Sequence, residues 1–456
     1  MRISACGVLL VAVVACGIDR GRAEPPVKGV ADFRAVIAKA KARVFPAVAF
    51  VKPIVEDFKA GRKMSHEIAG SGVVISAHGE LVTNWHVVRK AVDIRVQLSD
   101  GTCVKGTLVG GDKETDIALV RLAKRPDKAP YAHAAFADSS RLEEGDFVMA
   151  MGAPWGLSRS VSLGILSCTR RILPNQSEYS LWLQTDASLN PGNSGGPLVT
   201  CEGKVAGVNT LAAMSGGDIG FAVPANTVKY IVDQLRLHGE VKRSWTGVRL
   251  QPLNDFERNT FFDATEGVIV AGTDPQSPGR RAGLQAGDRI TAVGGAPVTA
   301  RNVEDLPAIR ARLGSLEEGK AAALSVVREG KTLALSLTPR PKGAVEGEEL
   351  DCPRWNMTVK TINQFDNPSL YFHRKKGVFI LAVKYPGNAA TSGLSAQDII
   401  VKIGETAVTA LADVKAAYDK ALSAKRDERK VVVEVIRDGL TNHVVLDYAR
   451  EYEDDE

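Results

Sequence analysis

The chain has 456 residues, 45% of them hydrophobic and 24% charged, a balance that belongs to folded globular proteins and excludes an intrinsically disordered chain. At roughly one domain per 150 residues, that length predicts about three domains. The formal net charge of +5 is small for the length, and with no concentrated basic run it gives no electrostatic case for binding nucleic acid.

Residues 1–23 read as an export signal: Arg2, an apolar stretch over 8–15, then small residues. The apolar core is too short to persist as a membrane-spanning helix. Two processing routes stay open. Cleavage after Ala23 fits a small-x-small site with Gly21, in a region charged by Asp19, Arg20 and Arg22, while Val13-Val14-Ala15-Cys16 matches a bacterial lipobox. Only lipidation of Cys16 would anchor the protein to a membrane, and both routes take it out of the cytoplasm. Next comes a helical segment over 24–44, with Phe33, Val36, Ile37, Ala40 and Val44 on one face, and then a short polar loop over 55–67. The helix is a candidate either for packing on its own domain or for holding subunits together.

From residue 45 to 240 the chain is rich in short β-branched runs with turn signals, as at 94–98, 104–109, 147–151 and 205–209. A helix over 226–237 follows, carrying Val228, Ile231, Val232 and Leu235 on one stripe and stopped by Gly239.

Three segments inside this stretch carry chemistry. Ser194 lies in Asn190-Pro191-Gly192-Asn193-Ser194-Gly195-Gly196-Pro197, where glycines allow a tight turn that lifts a hydroxyl outward. The same turn aims backbone N–H groups of Gly192 and Ser194, with Asn193 between them, at one point, as stabilising an oxyanion requires. His86 sits at an element junction in Leu81-Val82-Thr83-Asn84-Trp85-His86-Val87-Val88, and Asp116 heads the alternating run 115–122. A serine hydroxyl is a poor nucleophile, so His86 would take its proton and Asp116 would orient and stabilise the imidazolium. The chain order His, Asp, Ser is that of the chymotrypsin-like triad.

Residues 45–240 resemble the protease domain of the HtrA/DegP family on four motifs. These are Thr83-Asn84-Trp85-His86-Val87-Val88, Thr115-Asp116-Ile117-Ala118, Gly192-Asn193-Ser194-Gly195-Gly196-Pro197 and Ile219-Gly220-Phe221-Ala222-Val223-Pro224. Trp85 departs from the smaller or polar residue common there. The resemblance implies a mainly β fold, a chymotrypsin-like double β-barrel, and a serine endopeptidase that acts on unfolded or misfolded envelope proteins without ATP or any cofactor. It also implies a homotrimer or higher oligomer and a periplasmic or otherwise extracytoplasmic location. The position six before the nucleophile is Ser188, not an acid, with Leu189 beside it and Ile219 as a further pocket residue. Cleavage after small or medium aliphatic residues is therefore expected.

Beyond residue 240 the chain repeats itself. Gly267-Val268-Ile269-Val270 recurs 110 residues later as Gly377-Val378-Phe379-Ile380, and Ala282-Gly283-Leu284 with Asp288 recurs as Ser392-Gly393-Leu394 with Asp398. Trp245 and Trp355 keep the offset of 110, while Arg328-Glu329-Gly330 and Arg437-Asp438-Gly439 are 109 apart. Each copy resembles a PDZ domain (α+β), over 243–340 and 353–450, joined by a linker over 341–352 that reads as a flexible hinge. The resemblance makes Gly267, Val268, Ile269 and Val270 the expected site for a C-terminal peptide, with a helix near 303–313 as the opposite wall. It leaves open whether the second copy binds peptide or serves assembly. An acidic tail occupies 451–456. No cysteine spacing or other motif points to a metal, and Cys103, Cys168, Cys201 and Cys352 read as buried free thiols, although three pairings are possible.

Overall fold

The computed structural model describes residues 32–59, 62–153, 160–173, 176, 178–212 and 219–452. The expected signal, Cys6, Cys16 and most of the acidic tail lie outside them.

The helix Phe33–Val44 starts at Asp32, whose carboxylate accepts the N–H groups of Arg34 and Ala35 at 3.0 and 3.3 Å. Its buried side chains, Ala40 and Val44, belong to the protease core, and Phe33 meets Phe147 with ring centroids 4.8 Å apart. Of the two roles open for this face, the structure shows packing on its own domain.

Two closed six-stranded barrels follow. The first is built from Val48–Lys59, Gly70–Val74, Glu80–Thr83, Ile117–Leu122, Cys103–Asp112 and Ala91–Gln97, with Ala91–Gln97 pairing back onto Val48–Lys59. The stretch expected as a loop over 55–67 is instead a hairpin, with Arg62–Glu67 antiparallel to the end of Val48–Lys59. The register sets Asp57 opposite Met64 and Phe58 opposite Lys63, so polar and apolar residues are mixed on both strands and composition alone reads as a loop.

The second barrel orders its strands Trp182–Thr185, Gly220–Pro224, Val205–Ala212, Pro197–Thr200, Phe147–Gly152 and Ser160–Arg171. The helix Ala225–His238 buries Val228, Ile231, Val232 and Leu235 and packs against strands of both barrels. Gly239 ends it in the left-handed conformation at φ 73°, donating its N–H to the Leu235 carbonyl. Arg236 at its end forks onto Glu80 of the first barrel at 2.8 and 3.0 Å.

Each C-terminal module is a twisted antiparallel sheet with a long helix against it. The first sheet runs Val248–Gln251, Val268–Thr273, Arg289–Val293, Ala322–Arg328, Lys331–Leu337, with the helix Leu306–Gly314. The second runs Glu349–Cys352, Met357–Thr361, Val378–Val383, Ile399–Ile403, Lys430–Arg437, Leu440–Asp447, with the helix Leu411–Leu422. The linker is thus not a free hinge, because Glu349–Cys352 is a strand of the second sheet.

The repeat also explains its matched acid and base. Buried Asp288 accepts Arg328 Nε and Nη2 at 2.6 and 2.8 Å, and buried Asp398 accepts Arg437 at 2.7 and 2.6 Å. Each arginine also donates to a glycine carbonyl, Gly283 or Gly393. The four cysteines of the body are all free; only Cys352 is buried, whereas Cys103 is exposed, because it heads a strand at the barrel rim where a side chain can point to solvent.

Candidate active site

The site lies where the barrels meet. Strand Glu80–Thr83 runs directly into the short helix Trp85–Val88, which carries His86 out of the first barrel. Asp116 precedes strand Ile117–Leu122 with φ 57°, a left-handed conformation that costs a non-glycine residue about 1–2 kcal/mol. Bonds to its carbonyl from Trp85 N–H at 3.2 Å and Asn84 Nδ2 at 2.9 Å hold it there. So turned, its carboxylate accepts the His86 backbone N–H at 3.0 Å and lies 2.7 Å from His86 Nδ1. An ionised carboxylate only accepts, so the ring proton sits on Nδ1 and Nε2 is left as a base.

Thr210, on strand Val205–Ala212 of the second barrel, completes the set. Its hydroxyl donates to Asp116 Oδ2, and its carbonyl accepts the Ser194 hydroxyl at 3.0 Å. One residue therefore touches both the acid and the serine. Ser194 Oγ donates to the Thr210 carbonyl and not to His86.

The serine turn is clamped by the first barrel. Ser71 N–H donates to the Ser194 carbonyl at 2.8 Å, and the Ser71 hydroxyl donates to the Gly192 carbonyl at 2.6 Å while accepting Ala153 N–H at 2.9 Å. Gly195, at φ 84°, lies so close to the Ser71 carbonyl and Thr83 Oγ1 that a Cβ could not be placed there.

Among the described residues, the N–H groups of Gly192 and Ser194 have no hydrogen-bond acceptor. Asn193 is different. Its N–H donates to the Asn190 carbonyl at 2.9 Å, because the turn closes on itself there, so it is not available as an oxyanion donor.

Of the expected pocket residues, Leu189 packs on the second-barrel core and against Gly220, where a Cβ would lie 2.6 Å from Leu189 Cδ1. Ser188 is half-buried beside it, and Ile219, next to Gly220, is 37% exposed. Residues 213–218 are outside the described ones. Asp186, two residues before Ser188, accepts Ile165 N–H at 2.7 Å.

The expected peptide-binding residues Gly267, Val268, Ile269 and Val270 require correction. Strand Val268–Thr273 is interior, paired with Val248–Gln251 on one side and Arg289–Val293 on the other, so neither edge can accept a peptide. Gly267 is itself bonded to the segment at Thr299 and Ala300. Among the described residues the outermost strands of this sheet are Val248–Gln251 and Lys331–Leu337, and it is Val248–Gln251 that faces the helix Leu306–Gly314. It opens into a cavity of about 670 Å³ that also takes in Trp85, His86 and Asp116.

Among the described residues, no group of His, Cys, Asp and Glu could hold a metal ion, and no helix is long and apolar enough to cross a membrane.

The family described as a trypsin-like peptidase domain matches residues 70–208, and the PDZ domain family matches 246–338 and 359–447. A probable periplasmic serine endoprotease, DegP-like, from Halomonas elongata is 34% identical over 400 residues, covering 86% of this chain and 81% of that protein. The namesake from Brucella suis biovar 1 is 34% identical over 372 residues, covering 80% and 70%. Among solved structures, the HtrA-type protease AlgW with a tripeptide is similar at a TM-score of 0.59 and 32% identity, over 67% of this chain and 97% of that one. The serine endoprotease from Yersinia pestis follows at 0.53 and 29%, over 68% and 98%. A double barrel with His86 and Asp116 in hydrogen-bond contact, two PDZ modules behind it and relatives of this extent lead to one conclusion: the chain belongs to the DegP-like, HtrA-type serine endoproteases.

Proposed function

We propose that this serine endoprotease degrades unfolded or misfolded proteins of the cell envelope without ATP, using His86, Asp116 and Ser194 as its catalytic residues. The observation that carries the reading is the Asp116 carboxylate, which receives His86 Nδ1 at 2.7 Å and the Thr210 hydroxyl whose own carbonyl holds Ser194. His86 Nε2 takes the Ser194 proton as Oγ attacks the peptide carbonyl, then returns it to the leaving amine. The oxyanion falls to the N–H groups of Gly192 and Ser194.

Leu189 against Gly220, with no acid at 188, supports cleavage after small or medium aliphatic residues. Such residues are buried in folded proteins, so the preference selects unfolded chains. The free edge Val248–Gln251 would take a peptide C-terminus as an added strand, and its shared cavity with His86 keeps the captured chain near the chemistry. Export follows from residues 1–23 and accords with relatives named periplasmic. Assembly into a homotrimer or higher oligomer is part of the same reading, and solution mass measures it.

Labelling with a serine-directed phosphonate should modify Ser194 alone, and Ser194→Ala should abolish degradation of unfolded casein. Casein loss at the wild-type rate in Ser194→Ala would overturn the nucleophile assignment.

A further inference from the structure

The two repeats differ at one edge. In the first module the strand Val248–Gln251 has, among the described residues, a partner only on its inner side. In the second, the matching strand Met357–Thr361 pairs with Val378–Val383 on its inner side and with Glu349–Cys352 on its outer side. The outer pairing is antiparallel, with Glu349 opposite Lys360, Leu350 opposite Val359, Asp351 opposite Thr358 and Cys352 opposite Met357. Thr361 N–H donates to the Glu348 carbonyl at 2.9 Å and extends the ladder by one bond.

That outer edge is the track on which an extended peptide adds to a PDZ sheet. The strand on it also touches the helix Leu411–Leu422, the far wall of the groove. It ends at Cys352, which is 0% exposed and packs in one core with Trp355, Tyr418 and Ala421. The chain then turns through Pro353–Trp355 into the strand it has just covered. Trp355 records the consequence: it is fully buried edge-on to Tyr418, whereas Trp245 at the same repeat position lines the open cavity of the first module.

Charge fixes the strand at its start. Glu349 is bonded to Lys360 of the covered strand at 3.2 Å and to Lys90 of the protease domain at 2.7 Å, and Lys90 also holds Asp57 at 2.7 Å.

We propose that residues 349–352 are the resident occupant of the second module's peptide groove, held there by Glu349 between Lys360 and Lys90, so that this module takes no C-terminal peptide. Peptide recruitment then rests on the first module alone, a corollary that depends on the function proposed above. The occupied groove itself does not.

Hydrogen exchange read by mass spectrometry on the full chain tests it. Without peptide, the interstrand amides of 349–352 and 357–361 should exchange at least about a hundredfold slower than in an unfolded chain, since an opening costs the pairing and its packing. A decapeptide ending in Ala-Ala-Val with a free carboxylate, added at millimolar concentration, should leave protection of 357–361 unchanged. Exchange of 349–352 at the unfolded-chain rate, or peptide-dependent protection of 357–361, would overturn the proposal. Glu349→Lys places a third cation against Lys90 and Lys360 and should speed exchange of 349–352 about tenfold with the first module unaffected; an unchanged rate would remove Glu349 from its holding role. Because occupancy is read before peptide is added, failure of capture at the first module would register separately, as unchanged protection of 248–251.

Discussion

Thr210 joins the parts of the site. Its hydroxyl gives Asp116 a donor besides the two from His86, and its carbonyl holds the serine in waiting. A hydrogen bond to a charged acceptor contributes about 1.5–3 kcal/mol, and a bond that fixes the orientation of Asp116 acts on the transition state more than on substrate binding. Thr210→Val keeps the carbonyl and removes the donor, so kcat should fall at least about tenfold with KM changed little. Steady-state kinetics on a short chromogenic peptide would show it, and an unchanged kcat would end the claim that this hydroxyl orients Asp116. Ser71→Ala should likewise lower kcat, because the Gly192 carbonyl and Ala153 N–H lose the hydroxyl that ties the turn to the first barrel. The sequence singled out His86, Asp116 and Ser194 because each sits in a distinctive motif, and the structure brings them together through Thr210. Thr210 and Ser71 were not singled out, since a threonine in a β-run or a serine between glycines looks like any strand residue until the second barrel closes over it.

At the level of elements, the Asp288–Arg328 and Asp398–Arg437 staples are what the 110-residue repeat preserves. Each ties the turn before one strand to the end of a strand pair. Burial pushes the Asp288 carboxyl up, but the Arg328 guanidinium and the Gln285 N–H more than offset it and hold the carboxyl below its ordinary value. A depressed folded-state pKa stabilises at pH above the unfolded value near 3.9, and that stabilisation is lost as pH falls through the lower folded value. Asp288→Asn should therefore destabilise the first module by roughly 1.5–3 kcal/mol at pH 7, leaving Arg328 without its charged partner, and by less at a pH low enough to protonate Asp288 in the folded protein. Urea unfolding of the module's amides, followed by hydrogen exchange at both pH values, checks the sign; an equal effect at both would discard the ion-pair account. The sequence revealed the modules and their matched residues but assigned the peptide edge to a strand that is paired on both sides. Val268-Ile269-Val270 is the more apolar run because an interior strand is covered on both faces, while the open edge Val248-Arg249-Leu250-Gln251 alternates and so reads as an ordinary surface strand.

For the whole molecule, the question is what holds the modules against the protease so that a free edge and His86 share one cavity. The junction is ionic and largely buried. Arg243 forks onto Asp112 at 2.7 and 2.8 Å and reaches Glu114 at 3.1 Å, while Lys342 bonds Glu114 and donates to the Tyr179 hydroxyl at 2.9 Å. Both cations also lie 4.6 Å from the centre of the Tyr179 ring. Arg243 is at the start of the first module and Lys342 just past its end, so the two cations grip the module at both of its chain connections. None of this was visible in the sequence, where Asp112 and Glu114 stand far from Arg243 and Lys342 and in no shared motif with them. Partners that are taken out of water together are costly to separate, because the survivor stays buried and charged; the loss of one member typically costs about 3–5 kcal/mol. Salt screens such a buried set poorly. The wild-type scattering curve should therefore be nearly the same at 0.1 and roughly 0.5 M salt, as the short range of screening at exposed charges does not apply to groups this enclosed. Arg243→Ala leaves Asp112 and Glu114 facing each other without their main counter-charge, so the protease–module junction should open, raising the radius of gyration at both salt concentrations and speeding amide exchange in 112–115 and 342–346. An unchanged scattering profile in Arg243→Ala would mean that packing around Tyr179, and not the ion cluster, carries the junction.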